Sequence, residues 1–289
     1  MIKKATKNFM RTPITFKIGI SLLLVMIILS MLEPTVNGYI LKGHQPLESG
    51  VFEKYLHPSL QHPLGTDHYG RDVLALLIVS LKNSLLIGAI AGGIATLIGI
   101  VIATAAGYLG GKMDVLLNGV TNTLLVIPSL PILIAIAAYT RLNLFLMCIT
   151  LAIFSWPWTA RVIRAQILSI KERDYIELAR ISNMNSLEIM FLEILPNIAP
   201  FIGIGFANSI IGAIFAETGL RLLGLGPGEI PSLGLMINWA LRFGAISSRH
   251  YALLVAPAGA LTLIFITLNL INIGLEEIFN PRLKKITGV

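Results

Sequence analysis

The chain has 289 residues, 55% of them hydrophobic and only 13% charged, with a mean hydropathy of +0.80, far outside the composition of an ordinary soluble domain. The formal net charge of +7 comes without a basic–aromatic patch, so it is read as membrane orientation and no nucleic-acid partner is expected. Cys148 is the only cysteine and falls inside an apolar run, which excludes an internal disulfide or a cysteine metal site.

Apolar runs long enough to cross a hydrocarbon layer of about 30 Å occur at roughly Phe16 to Leu32, Leu85 to Leu109, Val115 to Tyr139, Leu142 to Ala160, Ile198 to Ala216 and Tyr251 to Leu275. The expectation is an all-α, multi-pass membrane protein with six transmembrane helices. The first run follows a basic stretch but is longer than a signal-peptide core and lacks an A-x-A cleavage site, so it reads as a retained helix. An even number of spans puts both termini on one side. That side carries Lys3, Lys4, Lys7, Arg11, Lys112, Arg161, Arg164, Lys171, Arg173, Arg180, Arg282, Lys284 and Lys285 and is therefore expected to be cytoplasmic.

In chain order the segments are a basic amino-terminal stretch (1–15), the first span (16–32), an extracytoplasmic segment with an amphipathic helix (33–84), a five-helix core (85–277) and a cytoplasmic tail (278–289). The outer segment is punctuated by Pro34, Gly38, Gly43, Pro46, Gly50, Pro58 and Pro63. It ends in HPLGTDHYGRDV, where Gly65 and Gly70 permit tight turns, Asp67 and Asp72 can cap backbone N–H groups, and Arg71 offers a carboxylate-binding fork. This reads either as a well-folded loop or as the outer mouth of a pore. His57, His62 and His68 fit no strong ligand spacing, and no metal is expected.

The second span is rich in Gly and Ala and should be buried against its neighbours. The third begins with Asn118, Thr121, Asn122 and Thr123 and is interrupted by Pro128 and Pro131, which bend a membrane helix and free carbonyls toward protein or a watery cavity. Asn118, Asn122 and Pro128, with Asn208 in the fifth span, are the candidate pore-lining residues. Arg161 and Arg164 are expected to snorkel at the membrane boundary after the fourth span.

Between the fourth and fifth spans lies a polar stretch, coupling loop 166–197, with two amphipathic helix patterns. Ser169 with Glu172 and Asn185 with Glu188 read as capping boxes, and Pro196 is expected to close the second helix before the membrane is re-entered. The pattern alone is equally compatible with a plain interfacial hairpin. Further on, Glu217 is expected to meet Arg221 one turn later or a backbone N–H. The Gly- and Pro-rich loop 218–250 is expected outside, as a gate or a landing place for another protein.

Glu177, Leu178 and Ala179, then Asn183, then Ile194, Leu195 and Pro196 resemble the EAA motif of ABC importer permeases, with Leu178 where Ala is usual and Asn183 where Gly is usual. Asn is the next-best residue for the left-handed backbone that such a Gly supplies. HPLGTDHYGRDV (62–73), KERDYIELAR (171–180), LRLLGLGPGEIPSLG (220–234) and LNLINIGLEEIFNPRLK (268–284) resemble signatures of the second permease subunit of dipeptide, oligopeptide and nickel importers. In the third of these Arg221, Leu222 and Leu233 replace the usual Ser, Phe and Trp.

The resemblance implies a type I ABC importer permease fold with a cytoplasmic coupling helix, in the inner cell membrane. It implies a paralogous permease as heterodimer partner, two ATP-binding subunits and an extracytoplasmic substrate-binding protein. It assigns ATPase coupling to Arg173, Asp174, Tyr175, Glu177, Ala179, Arg180, Asn183 and Pro196, and an outer loop or gate to Gly65, Asp67, Arg71, Asp72, Gly224, Gly226 and Pro231. No phosphate-binding G-x-x-x-x-G-K-[ST] sequence exists, so the chain is not expected to be an enzyme or to hold a cofactor, and ATP with magnesium belongs to the partner ATPases. Peptides, nickel chelates or oligosaccharides such as cello-oligosaccharides remain open as cargo. A secondary transporter would need intramembrane carboxylates and an inverted repeat, and neither is found.

Overall fold

The computed structural model describes residues 12–279. Lys3, Lys4, Lys7, Arg11, Arg282, Lys284 and Lys285, and with them the basic amino-terminal stretch and nearly all of the tail, lie outside the described residues. Ten α-helices are used below: α1 Ile14–Met31, α2 Glu33–Leu41, α3 Val73–Thr104, α4 Gly111–Val126, α5 Ser129–Tyr139, α6 Leu144–Ile170, α7 Asp174–Ile181, α8 Leu195–Leu222, α9 Leu233–Arg242 and α10 Ala252–Phe279. Among the described residues there is no strand, only an isolated bridge between Thr66 and Asp72.

Among the described residues five helices are long and apolar enough to cross a membrane, and α4 with α5, bent by 80°, supplies a sixth crossing when counted as one. The bend has a local cause. A proline ring disfavours α-conformation in the residue before it, and Ile127, ahead of Pro128, is extended at φ −73°, ψ 123°. Pro131 sits in the first turn of α5, where its missing N–H has no intrahelical partner to lose.

The centre of the bundle is the contact of α3, α6 and α8. Small residues bring their backbones together. A Cβ on Gly92 of α3 would lie 2.9 Å from the backbone N of Ile210 on α8, and one on Gly99 would lie 3.2 Å from the backbone N of Ala160 on α6. Gly205 of α8 closes on Thr159 of α6, whose hydroxyl is fully buried and lies 2.9 Å from Ser209 Oγ. Without a hydrophobic difference between lipid and side chain, such close packing and buried hydroxyl pairs are what hold helices in a membrane. At the periphery α1 lies on α10, where Gly274 meets the backbone of Phe16 and Gly19 meets Ile271.

Two local expectations are overturned. Ser169 and Glu172 do not start a helix, because α6 runs through Ile170 and α7 begins at Asp174 with Arg173 as N-cap. Fully buried Ile167 and half-buried Ile170 extend the apolar face of α6 past that point, and burying them outweighs a capping box worth about 1 kcal/mol. Nor does Pro196 close a helix. Ser186–Leu222 is continuous, with a π-helical turn at Ile189–Ile194 directly before Pro196 in the first turn of α8. The wider π-turn changes the hydrogen-bond register where the proline has no N–H to give, and Asn197 Nδ2 donates to Glu193 O at 2.6 Å.

Replacing Gly92 with Val should force α3 from α8, because the added atoms meet both the side chain and the backbone of Ile210. Overpacking of this kind costs about 1–3 kcal/mol, and thermal unfolding of the purified protein should shift downward by several degrees; an unshifted transition would contradict the packing described.

Candidate functional site

At one end of the bundle α7 and the turn after it form a hairpin. Asn183 has φ +64°, the left-handed conformation expected of the residue standing where Gly is usual. Asn183 N–H donates to Arg180 O at 3.1 Å and Met184 N–H to Ala179 O at 3.1 Å, which together make a Schellman C-cap for α7. Asn185 then caps the following turn: its Oδ1 accepts from Glu188 N at 2.8 Å while Glu188 Oε2 accepts from Asn185 N at 2.7 Å. The second expected capping box is therefore present.

One face of α7 is buried. Ile176 and Ala179 pack with Ile163, Ile167, Ile189, Ile194 and Ile198 in a single apolar cluster that fixes the helix to α6 and α8. Arg173, Asp174, Tyr175, Glu177 and Arg180 face outward. Ala179, grouped with them by resemblance, faces the core, and Asn183 is exposed in the turn. The Glu177 carboxylate makes no ion pair among the described residues. Leu178, Ile181, Leu187, Phe191 and Leu192 are more than 60% exposed, an apolar surface that the outward sides of the two amphipathic patterns could have signalled.

Midway along the bundle, α5, α6 and α8 line an open cleft of about 360 Å³. Ser129, Ser155, Thr159, Asn208 and Ser209 supply hydroxyl and amide groups to its wall, Phe154 and Trp158 supply aromatic faces, and no lining side chain is charged. Asn208 is thus on the cleft, and Pro128 directly precedes the cleft residue Ser129. Asn118 and Asn122 are not on it: both sit on α4, where Asn122 Oδ1 accepts from Arg161 Nη2 at 2.8 Å. Phe154 gave no sequence signal beyond an apolar run.

The opposite end carries a cap built on two buried arginines. Asp67 Oδ1 accepts from the backbone N–H groups of Tyr69 and Arg71, both at 2.9 Å, and its Oδ2 accepts from Arg71 Nε at 2.7 Å. The Arg71 guanidinium lies 4.1 Å from the ring centre of Trp239 on α9 and 4.7 Å from that of Tyr69. Asp72 is the N-cap of α3, accepting from Ala75 N at 2.9 Å and pairing with His62 Nδ1 at 2.8 Å. Gly65 and Gly70, at φ +75° and +71°, leave no room for a Cβ against the carbonyls of Leu56 and Phe52.

Arg221 does the same for segment 218–250. Its Nε donates to Glu217 Oε1 at 2.9 Å, and its other nitrogens donate to Pro227 O at 2.5 Å and Ile230 O at 3.2 Å. Pro231 O accepts from Asn83 Nδ2 at 2.7 Å. Gly224 and Gly226 take φ +77° and +101° in the turn that Arg221 organises. Segment 218–250 is therefore partly helical: α8 continues through Leu222, and α9 covers Leu233–Arg242.

His57 stacks on His250 at 4.7 Å and His68 on Phe243 at 3.6 Å. Burial, joined by the positive charges of Arg71 and Lys54 and opposed by Asp67, pushes His68 down to about 4.

A profile described as "Binding-protein-dependent transport system inner membrane component" matches residues 95–285. The chain is similar to the oligopeptide transport system permease protein OppC of Lactococcus lactis subsp. cremoris (strain SK11), 34% identical over 208 residues, covering 71% of each chain. It is 30% identical over 260 residues to the dipeptide transport system permease protein DppC of Bacillus subtilis (strain 168), covering 90% of this chain and 81% of that one. Among solved structures, a chain of the MetNI methionine ABC transporter in an inward-facing conformation aligns with a TM-score of 0.57 at 17% identity, covering 72% of this chain and 96% of that one.

Two outcomes follow from this geometry. Replacing Asn183 with Val should cost the hairpin about 1–2 kcal/mol, because a β-branched residue resists φ > 0, whereas Asn183→Gly should leave thermal stability near wild type. For His68 the folded value lies below the ordinary 6.5, so the unfolded chain takes the proton first. The stability carried by the neutral ring is complete above about pH 6.5 and declines as pH falls toward about 4. An NMR titration of the ring giving a midpoint above 6 would contradict that order.

Proposed function

The chain belongs to the family of binding-protein-dependent transport system inner membrane components, and from that premise we propose that it is the permease subunit of a peptide importer whose ATP hydrolysis takes place in partner subunits. It is a multi-pass inner-membrane transport component and not itself an enzyme. The α7 hairpin is the observation that carries the mechanism: a short helix fastened to the bundle on one face and presenting charges and apolar side chains on the other. A separate ATPase that docks there can push the core directly, because Ile176 and Ala179 are seated among residues of α6 and α8.

In this reading Arg173, Asp174, Tyr175, Glu177 and Arg180 form the docking surface, with Leu178, Ile181 and Phe191 as its apolar part. Ala179 packs inward, Asn183 sets the turn, and Pro196 lies at the π-turn that leads into α8. The hairpin end is cytoplasmic, with both termini on that side. Lys112, Arg161, Arg164, Lys171, Arg173 and Arg180 gather there, and Thr15 of α1 hydrogen-bonds Glu277 of α10 at the same end. The cap held by Arg71 and Arg221 is then extracytoplasmic. Gly65, Asp67, Asp72, Gly224, Gly226 and Pro231 shape it as the landing place of a substrate-binding protein. The cleft forms one wall of the path, and a paralogous permease in a heterodimer supplies the other.

Peptide as cargo rests on the oligopeptide and dipeptide permeases among the relatives. The uncharged cleft wall with Trp158 and five hydroxyl or amide residues favours a second reading, a neutral oligosaccharide. ATP hydrolysis by the complete complex, measured with panels of peptides and oligosaccharides, separates the two, and stimulation by neither class would sink both. In the same assay Glu177→Arg should lower solute-stimulated hydrolysis about fivefold, the equivalent of about 1 kcal/mol of docking energy; an unchanged rate would remove Glu177 from the interface.

A further inference from the structure

Arg161 and Arg164, expected to snorkel into the headgroup region, instead cross from α6 to α4. Arg164 grips Asp114 side-on, Nε to Oδ1 and Nη2 to Oδ2, each at 2.6 Å. Arg161 Nη2 donates to Asn122 Oδ1 at 2.8 Å. Directly after the helix end, Lys171 Nζ donates to Gly107 O at 3.0 Å, in the π-turn Ala105–Leu109 between α3 and α4. Three basic residues at the end of α6 that leads into α7 are therefore tied to α4 and to the π-turn before it.

Burial does little to hold α4 in place. Thr121 is its only buried residue, so the polar links carry much of its attachment. Of these links the Asp114–Arg164 pair constrains most. Two parallel charge-assisted bonds fix orientation as well as distance, and both side chains are less than a quarter exposed. Asn122 offers Arg161 a single bond at an exposed site, and Lys171 meets a carbonyl as a point charge on a flexible stem. At the far end of α4 the chain bends by 80° into α5, which brings Ser129 and Leu133 to the cleft. Asp114 is thus anchored beside the helix that leads into the coupling hairpin, at one end of a rod whose other end reaches the cleft wall.

We propose that the Asp114–Arg164 pair is a positioning strut that makes α4, and through the bend α5, follow the displacement of the coupling hairpin. The proposal rests on the ATPase-coupled reading above. Without the pair, α7 and α6 move when the ATPases close, but α4 is free to slip and the cleft wall does not change with them. The consequence falls on the solute moved per ATP rather than on docking.

The test uses the complete complex in liposomes, with uptake of the stimulating solute and ATP hydrolysis measured together. Asp114→Asn and Arg164→Gln should lower uptake per ATP about 5- to 10-fold in complexes recovered at wild-type yield. The double exchange Asp114→Arg with Arg164→Asp should recover at least half of that loss, which a role in generic packing would not predict. Unchanged uptake per ATP in the single variants, or no recovery on exchange, overturns the strut. If the single variants assemble poorly, Arg164→Lys decides, since it keeps the charge and loses the fork: lowered uptake per ATP supports the strut and a wild-type ratio overturns it. A wild-type complex with no solute-stimulated hydrolysis overturns the importer reading itself, which keeps the two failures distinguishable.

Discussion

The close approach of α3, α6 and α8 is the constraint on which everything else depends. Lipid tails are as apolar as Leu and Ile, so burying those residues does little to bring spans together, and backbone proximity and buried hydroxyls must do so instead. Gly92, Gly99 and Gly205 remove the side chains that would separate the helices, and Thr159 with Ser209 fills the space left with a mutually satisfied polar pair. With these helices fixed, α6 and α8 become long levers that both carry the α7 hairpin and line the cleft.

The two ends of the bundle solve different problems. The hairpin end leaves charge and apolar surface uncovered, and its internal order comes from backbone capping at Asn183 and Asn185. The cap end instead buries its charges. An isolated buried arginine would be costly, and both Arg71 and Arg221 are compensated by a carboxylate four residues away together with ring or carbonyl contacts. Breaking either pair by removing the acid leaves an unpaired buried cation. Such pairs hold loops in one arrangement more than they add net stability.

Irregular backbone appears at the bend within the α4–α5 span and at the hairpin end of the bundle. Pro128 converts one span into two half-helices and frees α5 to face the cleft, and π-turns before Gly110 and before Pro196 absorb register changes that an unbroken α-helix would not accept. Of the polar links from the end of α6, that of Lys171 reaches the first π-turn itself, and those of Arg161 and Arg164 reach the helix that follows it.

Composition and apolar run length by themselves determined an all-helical, multi-pass protein, because a span must satisfy its own backbone and only about 20 apolar residues reach across the bilayer. The left-handed turn at Asn183, the Asn185 capping box and the Glu217–Arg221 pair were also legible, since each is a local interaction set by residue type and a spacing of a few positions. Only the tertiary structure decided that α6 continues past Ser169, that Pro196 lies within a continuous helix, and that Ala179 faces inward. At Ser169 burial of Ile167 and Ile170 outweighed a local signal of about 1 kcal/mol, at Pro196 a π-turn absorbed the proline, and Ala179 faces the apolar cluster of α6 and α8. The pairing of Arg164 likewise rests on tertiary structure. Its partner Asp114 lies fifty residues earlier in the chain, and no periodicity within either helix encodes which face of one meets which face of the other.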